Sequence, residues 1–130
     1  MNKFGGIEIL TSTCDISTLT DGRGGIFTWI PQDEILEFNM LFFLAGKHRG
    51  NHYHPEFIEY FLVVEGSVAL MTKDLETGNK ISMLSSKGLC FRIPIGVSHA
   101  FHAITESTCI SFLTKPWGEC TDPIINEKLL

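Results

Sequence analysis

The sequence predicts an all-β fold, a sandwich or a closed barrel, and three observations carry that prediction. Runs rich in Val, Ile, Phe and Tyr recur at short spacing along the 130 residues, separated by Gly, Pro, Asn and Asp. No stretch carries a 3.6-residue apolar period of helical length, apart from a short turn expected near Ile124 to Leu130. A hydrophobic fraction of 44% with ten Phe and only 19% charged residues argues for a core-rich globule and against disorder. The length leaves room for one domain over residues 1–130.

Taken in order, the expected strands are Gly25 to Ile30, Ile35 to Leu44, Glu59 to Glu65, Ser67 to Asp74, Lys80 to Leu84, Leu89 to Ile93, Ala100 to Thr105 and Cys109 to Thr114. Breakers fall between most of them. Asp21-Gly22-Arg23-Gly24-Gly25 reads as a turn, Glu76-Thr77-Gly78-Asn79 as a hairpin loop, and Pro94-Ile95-Gly96 as a tight turn just ahead of His99. Phe42, Phe61, Phe91, Phe101 and Phe112 are expected mostly in the core, with one or two lining a cavity. Trp29 and Trp117 are expected at a barrel end or a dimer contact.

A net charge of −5 argues against nucleic acid or an anionic membrane surface as partner, because both require excess Lys and Arg. Lys47, His48, Arg49 and Arg92 flank the residues discussed next, so a locally positive site for an anionic small molecule is still expected. Cys14, Cys90, Cys109 and Cys120 show no CxxC pairing, and Cys90 and Cys109 are expected as buried thiols. Met1 to Gly6 lacks the pattern of a secretion signal, and the apolar run Met40 to Ala45 is too short to span a bilayer. The expected setting is soluble, reducing and cytoplasmic.

Chemistry concentrates in two segments. His52, His54 and Glu59 lie in RGNHYHPEFIEY, and His99 lies in RIPIGVSHAFHA. Side chains alternate along a strand, so His52 and His54 share a face. The odd offset to Glu59 requires a bend, which Pro55 supplies. His99, Phe101 and Ala103 share a face and leave His102 on the other. Imidazole and carboxylate together suit a borderline divalent metal ion such as Zn, Fe, Mn, Ni or Co, with positions left for water or substrate. Arg49 is the expected anion-binding fork, with Arg23 and Lys47 as further substrate-binding candidates.

These residues resemble the two signature motifs of the cupin superfamily, G-x5-H-x-H-x4-E-x6-G and G-x5-P-x-G-x2-H-x3-N. Gly46, His52, His54, Glu59 and Gly66 fit the first, and Gly88, Pro94, Gly96 and His99 fit the second, with Ala103 in place of the usual Asn. The resemblance implies a double-stranded β-helix, or jelly-roll, barrel with the site in its mouth. From Asp21 to about Asp122 the chain is further similar to cupins that modify nucleotide-linked sugars: dTDP-4-keto-6-deoxyhexose 3,5-epimerases, sugar 3,4-ketoisomerases, and the C-terminal cupin domain of capsular-polysaccharide reductase-epimerases. In the first two groups the histidine matching His52 resembles the catalytic base, and the arginine matching Arg49 helps to hold substrate. The third group shares RGxHxH followed by Glu and binds zinc. Departures accompany the resemblance: the 3,5-epimerases use a C-terminal tyrosine as acid, whereas this chain's tyrosines are Tyr53 and Tyr60, and the capsular group carries Lys where this chain has Phe57.

The resemblance therefore implies an epimerase or isomerase acting on a 4-keto nucleotide sugar in surface-polysaccharide biosynthesis, assembled as a homodimer. His52 has one lone pair to give, so either it binds metal and another group is the base, or it is the base of a metal-free site. Two other readings stand beside this one: a metal-dependent oxygenase or lyase of another small molecule, and a non-catalytic sugar-binding module.

Overall fold

In the computed structural model, which describes residues 2–10, 12 and 22–130, the chain forms two antiparallel sheets facing each other. The strands are β1 (Asn2–Phe4), β2 (Ile7–Leu10), β3 (Glu37–Phe43), β4 (His48–Tyr53), β5 (Glu59–Glu65), β6 (Ser67–Lys73), β7 (Lys80–Ser86), β8 (Cys90–Ile93), β9 (His99–Ala103), β10 (Ser107–Leu113) and β11 (Ile125–Asn126). One sheet runs β1-β2-β8-β5-β10-β3 and the other β11-β4-β9-β6-β7. A 3-10 turn, Trp117–Glu119, follows β10.

Alternation builds the core. Along β6, Val68, Leu70 and Thr72 point inward, and along β10 Ser107, Cys109, Ser111 and Leu113 do the same. Val68, Leu70 and Cys109 among them meet Ile7, Phe61, Val63, Phe91, Ile93 and Phe101 in one buried cluster. Each fully buried aliphatic or aromatic side chain there contributes on the order of 1.5–3 kcal/mol through removal of apolar surface from water. Phe61 and Phe101 stack face to face with centroids 3.7 Å apart. Both rings also line a cavity at one end of the barrel.

Strand β5 is buried on both faces in its first half. Its outer side is covered where Trp29 and Ile35 pack on Leu10, Tyr60 and Cys90. Residues 25–30 form no strand, against expectation; the segment crosses the outer face of the six-stranded sheet instead of joining its ladder. Strands β1, β2 and β11 were not anticipated, because two to four residues are too few to show a period, and residues 124–130 hold β11 where a turn was expected. Phe42 is another correction. It points out of β3 and is 68% exposed, together with Phe38 and Met40, giving the terminal strand of the sheet an apolar outer stripe.

Candidate active site

One end of the barrel opens into a cavity of about 620 Å³ whose lining includes Arg49, His52, His54, Glu59 and His99. Arg49 and His52 are three apart, an odd spacing that would put them on opposite faces of a regular strand. The ladder between β4 and β9 shifts register between Gly50 and His52, and Asn51 takes a left-handed φ of 61° as the extra residue of a β-bulge. The bulge returns both side chains to the cavity. Glycine precedes it for a steric reason: Gly50 has φ 100°, and a Cβ there would stand 2.8 Å from the His99 carbonyl oxygen. The Asn51 side-chain oxygen accepts from the backbone N–H groups of Leu129 and Leu130, both at 2.9 Å, so the C-terminal tail fastens the bulge. After Tyr53 the chain bends through Pro55 and re-enters as β5 with Glu59 inward, as the sequence suggested.

The histidine tautomers follow from their partners. His54 Nδ1 lies 3.0 Å from the Pro123 carbonyl oxygen, and His99 Nδ1 lies 3.0 Å from that of Val97. A carbonyl only accepts, so each Nδ1 carries a hydrogen and each ring turns its Nε2 toward Glu59, as a lone pair on a neutral ring or as a donor on a protonated one. His54 Nε2 is 3.2 Å and His99 Nε2 3.3 Å from the same oxygen, Glu59 Oε1. His99 Nε2 is fully buried and, despite that proximity, its geometry leaves it without a hydrogen-bond partner. Two lone pairs and a carboxylate oxygen therefore converge, an arrangement that requires a positive charge, either a proton or a cation. One nitrogen each from His52, His54 and His99 lies within 4.8 Å of the others, so the donor set fits a metal ion.

Electrostatics agree with this picture. Burial works to raise the Glu59 pKa, but contact with the His54 and His99 rings outweighs it and holds the carboxyl well below the usual range. The other Glu59 oxygen accepts from Ser111 Oγ at 2.5 Å. Burial, together with repulsion from His99 and His54, lowers His52 to about 4, so its ring is neutral at neutral pH. Phe57 lies against the His54 ring with centroids 4.3 Å apart, so an aromatic wall stands where the capsular group carries a lysine.

The other candidate residues stand apart from this cluster. Arg23 and Lys47 are exposed and neither lines the cavity. Arg92 points out of β8 into a network with Asp33 (2.8 Å) and Glu8 (3.1 Å), joined by Tyr60. His48 and His102 face each other away from the cavity, their centroids 6.3 Å apart across the β4–β9 pair. Of the expected cation cluster only Arg49 reaches the site, its guanidinium carbon 5.8 Å from the Phe43 ring centroid. Asp21 and Cys14 lie outside the described residues. Sequence reasoning missed Glu37, Asn39, Ser111 and Trp117, all of which line the cavity. For Glu37, Asn39 and Ser111 the available signal was a polar residue at an inward position of a strand.

Comparison with known proteins agrees with this architecture. Residues 19–119 match the family described as polysaccharide biosynthesis C-terminal domain. The chain belongs to that family. No curated protein matches it. Among solved structures, this family member is similar to a 3,4-ketoisomerase from Helicobacter canadensis, with TM-score 0.78 and 14% identity over 95% of this chain and 92% of that one. It is also similar to a dTDP-6-deoxy-D-glucose-3,5-epimerase from Legionella pneumophila solved with dTDP-4-keto-L-rhamnose, with TM-score 0.76 and 17% identity over 99% and 76%. A dTDP-4-dehydrorhamnose 3,5-epimerase from Sulfolobus tokodaii gives TM-score 0.72 and 21% identity over 88% and 73%. This member of the family thus shares the two-sheet jelly-roll fold of those solved structures.

Proposed function

We propose that this domain is an isomerase or epimerase acting on a 4-keto nucleotide sugar in surface-polysaccharide biosynthesis, with His52, His54, Glu59 and His99 holding a divalent cation. The observation that carries the reading is the convergence of the His54 and His99 lone pairs on Glu59 inside a cavity that also receives Arg49. The family match and the ligand of the Legionella protein support the substrate class.

Each residue has a part. Arg49, at the cavity wall, presents a planar donor fork to the diphosphate. His54 and His99 are oriented through their Nδ1 hydrogens, and Glu59 is kept ionised by them and by Ser111. His52, neutral and less buried, gives its lone pair to the cation in this assignment and is not the base. Bound there, the cation supplies a Lewis acid that polarises the ketone beside which a proton is lost. Phe61 and Phe101 give the cavity a stacked aromatic wall.

Incubation with 4-keto sugars linked to dTDP or UDP in deuterated water tests this reading. Deuterium is expected at carbons beside the ketone, detected by NMR. Oxygen consumption with an organic substrate in place of exchange would favour the oxygenase reading and defeat this one.

A further inference from the structure

One carboxylate in the cavity stands outside the histidine cluster. Glu37 lies on the inward face of β3, and Leu113 of β10 pairs with Glu37 on one side and with Glu59 on the other. The two acids therefore share a row across three strands, with backbones roughly 10 Å apart, two interstrand spacings. Both oxygens of Glu37 are positioned: Oε1 accepts from the Trp117 N–H at 3.0 Å and Oε2 from the Asn39 amide at 2.9 Å. A carboxylate oxygen has two lone pairs, so each retains one for a substrate.

Among the described residues lining the cavity, the titratable side chains are Glu37, Arg49 and the four of the cluster. Arg49 does not release its proton, and the four are assigned to the cation. We infer that Glu37 is the proton-transfer group of this site, a conclusion that rests on the ketosugar reading above. The C–H bond beside the ketone breaks and its proton passes to a Glu37 oxygen. The C–H electron pair becomes a double bond to the carbonyl carbon, and the carbonyl π pair moves onto its oxygen. Delivery of that proton from the Glu37 carboxylic acid to the former carbonyl carbon, while the proton of the neighbouring hydroxyl passes to the enolate oxygen and its carbon becomes the new ketone, completes a one-carbon shift of the carbonyl with no oxidant or reductant required. Leu41 and Leu113 flank the group with apolar surface, which limits competing water.

A structural alternative gives Glu37 only the task of pinning the Trp117 turn to β3, and Glu37→Gln separates the two. Gln keeps an acceptor for the Trp117 N–H and nearly the same shape, but it cannot take the proton. Wild type and variant are compared with dTDP-4-keto-6-deoxyglucose in deuterated water, following exchange by NMR, KM, and the thermal midpoint. The expected result is a loss of about 100-fold or more in exchange rate with KM and midpoint little changed. Glu37→Asp, which retains a displaced carboxylate, is expected to exchange measurably faster than Glu37→Gln. Exchange in Glu37→Gln within about threefold of wild type, or equal rates in the Asp and Gln variants, would overturn the inference alone. Absence of exchange in wild type would overturn it together with the function proposed above.

Discussion

The protonated Nδ1 of His99, held by the Val97 carbonyl 3.0 Å away, decides what the other nitrogen of that ring can do. With Nδ1 as donor, Nε2 is left facing the Glu59 oxygen, where either a proton or a cation must stand between the two, and the same logic applies to His54 through Pro123. His52 completes the group with its pKa lowered to about 4 from an ordinary 6.5, the result of burial and of the two neighbouring imidazoles. The sign of the linkage follows: in cation-free protein, an unfolded chain takes up a proton near pH 6.5 that the folded site refuses until about 4. Stability of chelator-treated protein is therefore expected to be level above pH 6.5 and to fall as pH drops from there toward 4. Urea midpoints across that range check it, and His52→Ala is expected to flatten the slope. A wild-type midpoint unchanged between pH 7 and pH 5 would show that His52 titrates normally.

At the scale of elements, the bulge in β4 determines which side chains reach the cavity. It could not be read from the residue alternation, because HRGNHY looks like an unbroken strand and a strict two-residue period would send Arg49 away from His52. The Gly-Asn pair was the available sign, since both positions have left-handed φ. Gly50→Ala is expected to destabilise the fold by about 2 kcal/mol or more, because a methyl group combines an unfavourable φ with contact at 2.8 Å from the His99 carbonyl and 2.9 Å from Ala100 Cα. Chemical denaturation measures this directly. A variant as stable as wild type would mean that β4 and β9 do not approach so closely. Strand β3 illustrates a different kind of partial legibility. Its extent was nearly evident in the sequence, but Glu37 and Asn39 looked like ordinary surface residues until the register placed them on the inward face.

For the whole molecule, the jelly roll and the histidine-glutamate quartet were legible because both are periodic or regularly spaced: alternation fixes faces, and nine motif positions fix the distance between the two ligand segments. The positions of Arg23, Lys47 and Arg92 were not, since proximity in sequence to a ligand strand says nothing about which face or loop a cation occupies. Among the described residues, the outer stripe of Phe38, Met40 and Phe42 is exposed and β3 ends its sheet with no further strand beside it. Two-fold pairing of this face with its copy is the proposed homodimer. Light scattering on size-exclusion fractions is expected to give twice the 14.5 kDa chain mass, and Phe38→Glu is expected to shift it toward the single chain. A wild-type chain that stays at 14.5 kDa at micromolar concentration would contradict that assembly.

His52, His54, Glu59 and His99 are proposed to serve a common cation. Elemental analysis of purified protein, alongside a folded His99→Ala variant, tests it most directly. The expected result is close to one equivalent of a divalent transition metal per wild-type chain, falling to a small fraction in the variant. Wild type that takes up no metal from a buffer containing Zn, Mn, Ni or Fe(II), or a His99→Ala variant that retains a full equivalent, would contradict it.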